Sequence, residues 1–316
     1  LQPHWGSGSL DGESLDSQGM RFPLIGLAYP VSEWNGMVTL TFGTFMDQRW
    51  RVQEQDTEVL AGVSTPVTNT FKSEGGIAAI KLGWAQRVGR TVSVAVSAGF
   101  HTGSVTRTYI RTFDSLAAVT PEMVAFTDGG KWQYSGPTVG LGAVWDPSAM
   151  LRFGGSITWS GDLDAEPSDN TKGDRASYAI PTVYRLGASG ILTPRLSMTL
   201  GMSFADWTST KDGLEPGTVA GGVWSLGGGL EWEASSFGGR TLPIRLGARR
   251  SDLPFLFEDE QPTETVLTGG LGLNLTQADQ FVLAGVDLAV ERGRRTAAAL
   301  SEDFWRGSVT FRVSGW

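Results

Sequence analysis

Basic side chains occur inside several segments of alternating sequence, and these are the residues of the chain that could bind a ligand. Most are arginines, and a guanidinium group binds a carboxylate or a similar anion through two parallel hydrogen bonds. By strand parity they share a face with small and polar neighbours. The candidate ligand-binding residues are Lys81, His101, Arg152, Arg185, Arg245 and Arg249.

Ion pairing inside the protein is the alternative role for these cations. Asp287 and Glu291 have the same parity and can reach Arg312 on the next strand, with Arg249 two strands away. Arg152 and Arg185 have no acidic neighbour by parity. We therefore expect those two residues to receive an anionic group or to set the solute selectivity of a water-filled pore.

Catalysis by His101 is the other chemistry to consider, because it is the one histidine inside a predicted strand. A histidine-activated serine needs an orienting Asn or Asp beside the histidine. Ser93, Ser97 and Ser104 are near in sequence, but no motif marks a nucleophile. With two histidines and no cysteine in the chain, ligands for a metal are also scarce. We predict no enzyme activity, no cofactor and no metal, with His101 lining the interior.

The elements that position these residues are strands with one apolar face and one small, polar face. Residues 92–100 read VSVAVSAGF, and residues 151–159 and 196–204 repeat the pattern. Successive side chains of a strand point to opposite sides. The polar face lacks the long charged residues of a water-exposed sheet, so it suits an interior. The apolar face suits lipid, bounded by interfacial tryptophans near strand ends: Trp84, Trp145, Trp159, Trp224 and Trp232.

We therefore predict an all-β transmembrane antiparallel β-barrel of about 14 strands, with short periplasmic turns and long extracellular loops. No run of about 18 apolar residues is present, which excludes helical membrane spans. The first and last strand candidates both run toward the periplasm, so one strand is missing from the count. It lies within residues 1–10 or upstream. Residues 1–19 form a plug or the remnant of that first strand, and residues 20–316 form the barrel.

Net charge and the character of residues 1–20 limit the cellular location and the binding partners that the protein can have. The net charge is −8 and no basic run offers a phosphate-binding stripe, which argues against nucleic acid. Residues 1–20 do not read as a signal peptide, so we expect the leader of an exported protein to have been removed or to lie outside the sequence. The predicted location is the bacterial outer membrane. The predicted partners are its lipid, a hydrophobic small molecule, and proteins at the loops or rim.

Two prolines, Pro137 and Pro181, fall within strand candidates. A central strand rejects proline, because its ring nitrogen cannot donate a ladder hydrogen bond. Both residues therefore predict local kinks or breaks in the wall. In a barrel that releases cargo sideways into the membrane, such a break would be the gate.

Residues 22–30 read FPLIGLAYP before a short turn, and a strand pair links Gly75–Ile77 with Thr102–Ser104. With the expected strand number, these features resemble the FadL family of outer-membrane transporters of long-chain fatty acids and hydrocarbons. The typical N-terminal plug of that family is absent or truncated. The resemblance implies diffusion of hydrophobic compounds through a plugged lumen and a kinked wall, and it assigns no binding residue. The alternatives are a partner barrel in an envelope or secretion assembly and a polar-solute porin lined by Arg152, Arg185 and Arg245.

Overall fold

The computed structural model describes residues 1–10, 13–60, 62–113, 125–168, 171–208, 210, 220–237, 240–256, 259–278, 281–298 and 300–314. Nearly all of these residues lie in eighteen strands of one sheet. One turn of 3-10 helix occupies Ser32–Trp34. Within the described ranges, no helix is long and apolar enough to cross a membrane.

The strands follow one another along the whole chain, and every ladder between them is antiparallel. Their bounds are β1 Gln2–Leu10, β2 Glu13–Arg21, β3 Leu24–Val31, β4 Gly36–Asp47, β5 Trp50–Leu60, β6 Val63–Val88, β7 Val92–Phe113, β8 Ala125–Ser148, β9 Leu151–Ser160, β10 Leu163–Ser168, β11 Ala176–Tyr178, β12 Val183–Thr193, β13 Leu196–Asp206, β14 Gly222–Phe237, β15 Arg240–Asp252, β16 Thr263–Ala278, β17 Phe281–Ala297 and β18 Leu300–Val313.

Several consecutive strands lie end to end rather than side by side. β4 and β5 both pair with β6, and β9 and β10 both pair with β8. β11 and β12 pair with β10 and β9, and β2 and β3 pair with β1 and β4. Counting each such pair once leaves fourteen positions along the sheet. Between β2 and β5 the described residues form no ladder, so closure of the barrel and its strand number stay predictions.

The two faces follow the predicted parity. Val94, Val96 and Phe100 are exposed on the outer face, whereas His101 on the opposite parity is buried. The predicted tryptophans fall near both ends of the strands. Trp145 and Trp232 lie near the end that carries the short turns, and Trp159 and Trp224 lie near the other. We call these the short-turn end and the long-connection end.

Two polar segments extend strands instead of forming long loops. Residues 53–60 pair with 63–70 in the hairpin of β5 with β6, and residues 293–297 pair with 300–304 in the hairpin of β17 with β18. The first of these hairpins is rich in threonine and valine, which favour strands. The wall therefore rises well past the length needed to span the membrane, and β6 reaches 26 residues. The first strand of the chain, β1, pairs with the last strand, β18, from His4 with Arg306 to Ser9 with Ser301.

Candidate functional site

A largely apolar cavity of about 600 Å³ lies inside the sheet toward the long-connection end. We call it the apolar chamber. Asp47, Gln48, Arg107 and Thr210 are its polar lining residues. The other lining residues are apolar or aromatic: Phe45, Met46, Ile77, Val105, Tyr134, Leu163, Tyr178, Ile180, Trp207, Pro254 and Phe255.

Three buried side chains form the centre of the chamber wall. Ile77, Leu163 and Ile180 pack as one cluster, with Phe45, Met46 and two tyrosines against it. Ile77 and Val105 sit on the inward parity, which elsewhere carries mostly small or polar residues. Apolar residues on that parity were a sequence signal for this part of the chamber.

A bulge in β4 lets two consecutive residues, Phe45 and Met46, line the chamber. The register between β4 and β6 slips between Thr44 and Met46, which leaves Phe45 as the extra residue. Phe45 keeps the inward parity of Thr41, and the bulge brings Met46 to the same cavity. The Phe45 ring packs on His101, with 4.3 Å between ring centroids.

His101 lies beneath Phe45, on the short-turn side of the chamber. It is 2% exposed. Its Nε2 lies 3.0 Å from Ser160 Oγ, and the Ser160 hydroxyl donates to Thr138 Oγ1 at 3.3 Å. These contacts tie together β7, β9 and β8. His101 Nδ1 has no hydrogen-bond partner among the described residues, so the orienting group of a catalytic triad is missing there.

A break in the wall adjoins the chamber. β9 and β12 pair up to Thr158 with Val183, and β10 and β11 resume at Leu163 with Tyr178. The two ladders share one register. Residues 159–162 nevertheless form no ladder pairs with residues 179–182. Ile180 and Pro181 are buried there, so the chain turns inward and becomes part of the chamber wall.

The two predicted kink residues differ in their placement. Pro181 lies within the break itself. Pro137 stays inside β8, paired with Phe100, and its carbonyl accepts a hydrogen bond from the Gly161 amide at 3.0 Å. At this level β8 changes partner from β9 to β10. The interruption is therefore in the strands beside Pro137.

Three of the four candidate arginines are neutralised by carboxylates. Arg245 bridges Glu231 and Asp287, and Arg249 lies 2.7 Å from Glu264. At the short-turn end, Arg152 Nε donates to Asp146 Oδ1 at 2.7 Å, a partner that parity did not reveal because Asp146 sits where the strand ends. For these arginines the structure shows ion pairs.

The ion pairs extend through β15 to β18. Glu264 also binds Arg295 at 2.8 Å and Arg306 at 3.1 Å, and Arg306 reaches Glu291. Phe304 is fully buried. The guanidinium groups of Arg306 and Arg295 lie over its ring, 4.2 Å and 4.8 Å from the ring centroid. Buried charges need such partners, since desolvation of an unpaired ion is costly.

Lys81 and Arg185 are the exceptions. In the described part of the chain neither side chain pairs with a carboxylate. The Arg185 guanidinium makes one long hydrogen bond, 3.5 Å, to Thr158 Oγ1. Both residues lie on the side of the lumen formed by β6 to β12, opposite the ion-pair network.

Comparison with known proteins finds similarity in structure. No family model matches the sequence, and no curated protein does. The toluene transporter TbuX of Ralstonia pickettii superposes with a TM-score of 0.63 at 14% identity, over 99% of this chain and 88% of TbuX. The P. putida toluene transporter TodX gives 0.61 at 12% identity, over 98% and 89% of the two chains.

A Pseudomonas aeruginosa FadL homologue is also similar, with a TM-score of 0.60 at 11% identity over 98% of this chain and 87% of that one. At these identities the likeness concerns the fold. The chain therefore has the fold of the FadL-type outer-membrane channels, the family that its sequence resembles.

Proposed function

We propose that this chain is an outer-membrane channel for the passive diffusion of hydrophobic and amphipathic small molecules. One observation carries the proposal: an apolar chamber lies directly beside an interruption of the wall. Its volume is in the usual range of ligand sites, roughly 300 to 1,000 Å³. The toluene transporters with the same fold support the same class of solute.

The chamber suits a neutral or weakly polar guest. Burial of apolar surface gains about 25 cal/mol per Å², and the partly buried side chains of Phe45 and Met46 offer that surface beside the buried apolar cluster. An aromatic ring gains further from Phe45 and the tyrosines, because rings pack edge to face or offset. The polar lining residues leave room for one polar group on the guest.

We infer that the guest leaves sideways through the break at residues 159–162 and 179–182. The lumen beyond His101 is lined by small polar and charged side chains, among them Ser197, Thr199 and Arg185. A hydrophobic molecule would lose its burial there, whereas the bilayer preserves it. Residues 1–19 contribute to the wall in this proposal, as β1 and β2.

Uptake measurements test the function. Cells that lack their own channels of this fold are given the gene, and initial uptake of radiolabelled toluene is compared with that of an uncharged sugar. We expect toluene entry to rise several-fold and sugar entry to stay unchanged. Equal stimulation of both would instead support the polar-solute porin, and stimulation of neither would favour a barrel that serves a protein assembly at its loops or rim.

A further inference from the structure

The lipid-facing side of the sheet carries an apolar groove of about 740 Å³ across β12 to β15. Its outward side chains are mostly apolar, and Leu186 and Leu226 lie along it, exposed. The groove forms where Gly228 and Ala248 face each other across the ladder of β14 with β15, because neither presents a long side chain. A Cβ on Gly228 would meet the outward side chain of Leu200, so this glycine faces outward as well. The groove is therefore open to the bilayer rather than to the lumen.

Three arginines continue the same outer face beside the groove. Leu226 in the groove pairs with Arg250, which is itself a lining residue. Arg250 pairs with Thr265, and Thr265 pairs with Arg294, so one outward row joins these residues. Arg292 shares the outward parity of Arg294 on β17. Since neighbouring strands lie about 4.8 Å apart, the backbones of β15 and β17 are about 10 Å apart, and all three long side chains can reach one bound head group.

Tryptophans place these arginines at the border of the membrane. The Trp224 amide donates a hydrogen bond to Asp252, 3.2 Å away, so Trp224 lies level with the end of β15, just beyond Arg250. Arg292 pairs with Trp305, and its guanidinium lies 5.6 Å from the centroid of that ring. Outward tryptophans mark the head-group level of a bilayer. Because these arginines lie toward the long-connection end of their strands, they face the outer leaflet.

Positive charge exceeds negative charge among the ion pairs of this outward group. Arg294 pairs with Asp303 at 2.8 Å. Arg250 and Arg292 are exposed, and in the ranges that the structure describes neither lies within ion-pair distance of a carboxylate. A cation that faces lipid is costly unless an anion neutralises it, so this group favours an anionic head group.

We propose that this face binds a phosphorylated lipid of the outer leaflet, with a phosphate on Arg250, Arg292 and Arg294 and an acyl chain in the groove. A guanidinium donates paired hydrogen bonds to a phosphate, and clusters of basic residues beside a membrane recruit anionic lipids. The groove gives an acyl chain close contacts, each small but many in number. Because the groove runs from Arg250 into the apolar band, the occupant is a lipid rather than a free phosphate.

Native mass spectrometry of the purified full chain in a neutral detergent tests the site. The probes are lipid A with both of its phosphates and the same lipid after removal of the phosphates. We expect the phosphorylated form to bind more tightly. The double variant Arg250→Gln/Arg292→Gln should weaken its binding about tenfold or more, the usual effect of losing hydrogen bonds to charged groups. Ala248→Leu keeps the charge but fills the groove, and should weaken the binding of both forms.

Arg87→Gln/Arg90→Gln is the matched control, because it removes the same charge around the short turn between β6 and β7, on the opposite side of the membrane. It should leave lipid binding unchanged. Equal affinity for the two lipid forms would overturn the proposal, as would unchanged affinity in either Arg250→Gln/Arg292→Gln or Ala248→Leu. A dimer that Ala248→Leu disrupts, without bound lipid, would overturn it in favour of a second copy of this chain. The groove lies outside the lumen, so each of these failures leaves the proposed transport function standing.

Discussion

Replacement of Met46 by glutamine should disable the apolar chamber while leaving its shape almost intact. Met46 lines the chamber, is only partly buried, and packs against the buried cluster of Ile77, Leu163 and Ile180. Glutamine is of similar size but carries an amide. A hydrophobic guest that fills the chamber must strip that amide of its hydrogen-bonding partners.

The cost of burying an amide without a hydrogen bond is about 1–3 kcal/mol in proteins. Since 1.4 kcal/mol corresponds to a tenfold change in affinity, toluene should bind roughly 5- to 150-fold more weakly to Met46→Gln. Met46→Leu is the matched control, because it keeps the wall apolar and conserves volume, a change that costs less than about 1.5 kcal/mol in a core.

Equilibrium binding of radiolabelled toluene to the purified protein in nanodiscs, with empty discs subtracted, measures the effect. Retained heat-modifiable migration on gels shows that each variant is folded. Affinity of Met46→Gln within twofold of the wild type would refute the assignment of the chamber as the binding site. Equal losses in the glutamine and leucine variants would refute the argument from polarity.

Two further predictions concern the ion-pair side of the barrel. Gly293→Ala should lower the free energy of unfolding by about 1–3 kcal/mol, because a Cβ at this position would lie 2.0 Å from the Phe304 ring. Gly142→Ala is the control and should leave the free energy unchanged, because its Cβ would have no neighbour nearer than 3.6 Å. Urea titrations in lipid vesicles compare the two variants. Glu264→Gln should cost about 3 kcal/mol in the same assay, since Arg306 is buried and loses one of its carboxylates. A loss below about 1 kcal/mol would mean that the network behaves as an exposed one.

Strand parity was sufficient to predict the outer and inner faces. At residues 92–100 the alternation alone separated the exposed valines from the side that carries His101. The same parity placed Asp287 within reach of Arg312 on the next strand, and the two side chains pair at 2.8 Å, because same-face residues of neighbouring strands are close. The fold was predictable for the same reason, since the pattern repeats on most strands.

Only part of the chamber was predictable, because several of its residues sit where the two-residue period fails. Met46 follows a bulge, Ile180 belongs to the segment between β11 and β12, and Leu163 begins a strand just after the break. Parity says nothing at such positions. Pro137 carried the signal of an irregular wall, but its effect lies in the neighbouring strands, where Gly161 bonds to its carbonyl.

Sideways exit through the wall break is the central claim, and a reversible staple across the break tests it most directly. The chain has no cysteine, so Asp162→Cys with Ala179→Cys introduces one thiol pair at positions that would face each other in the shared register. Thr158→Cys with Val183→Cys places the control pair within the intact ladder. We expect toluene uptake by cells to fall sharply when the first pair is oxidised to a disulfide and to return when the disulfide is reduced. Toluene binding should persist throughout, and the control pair should have no effect on uptake. Uptake at the wild-type rate through the stapled break would contradict it.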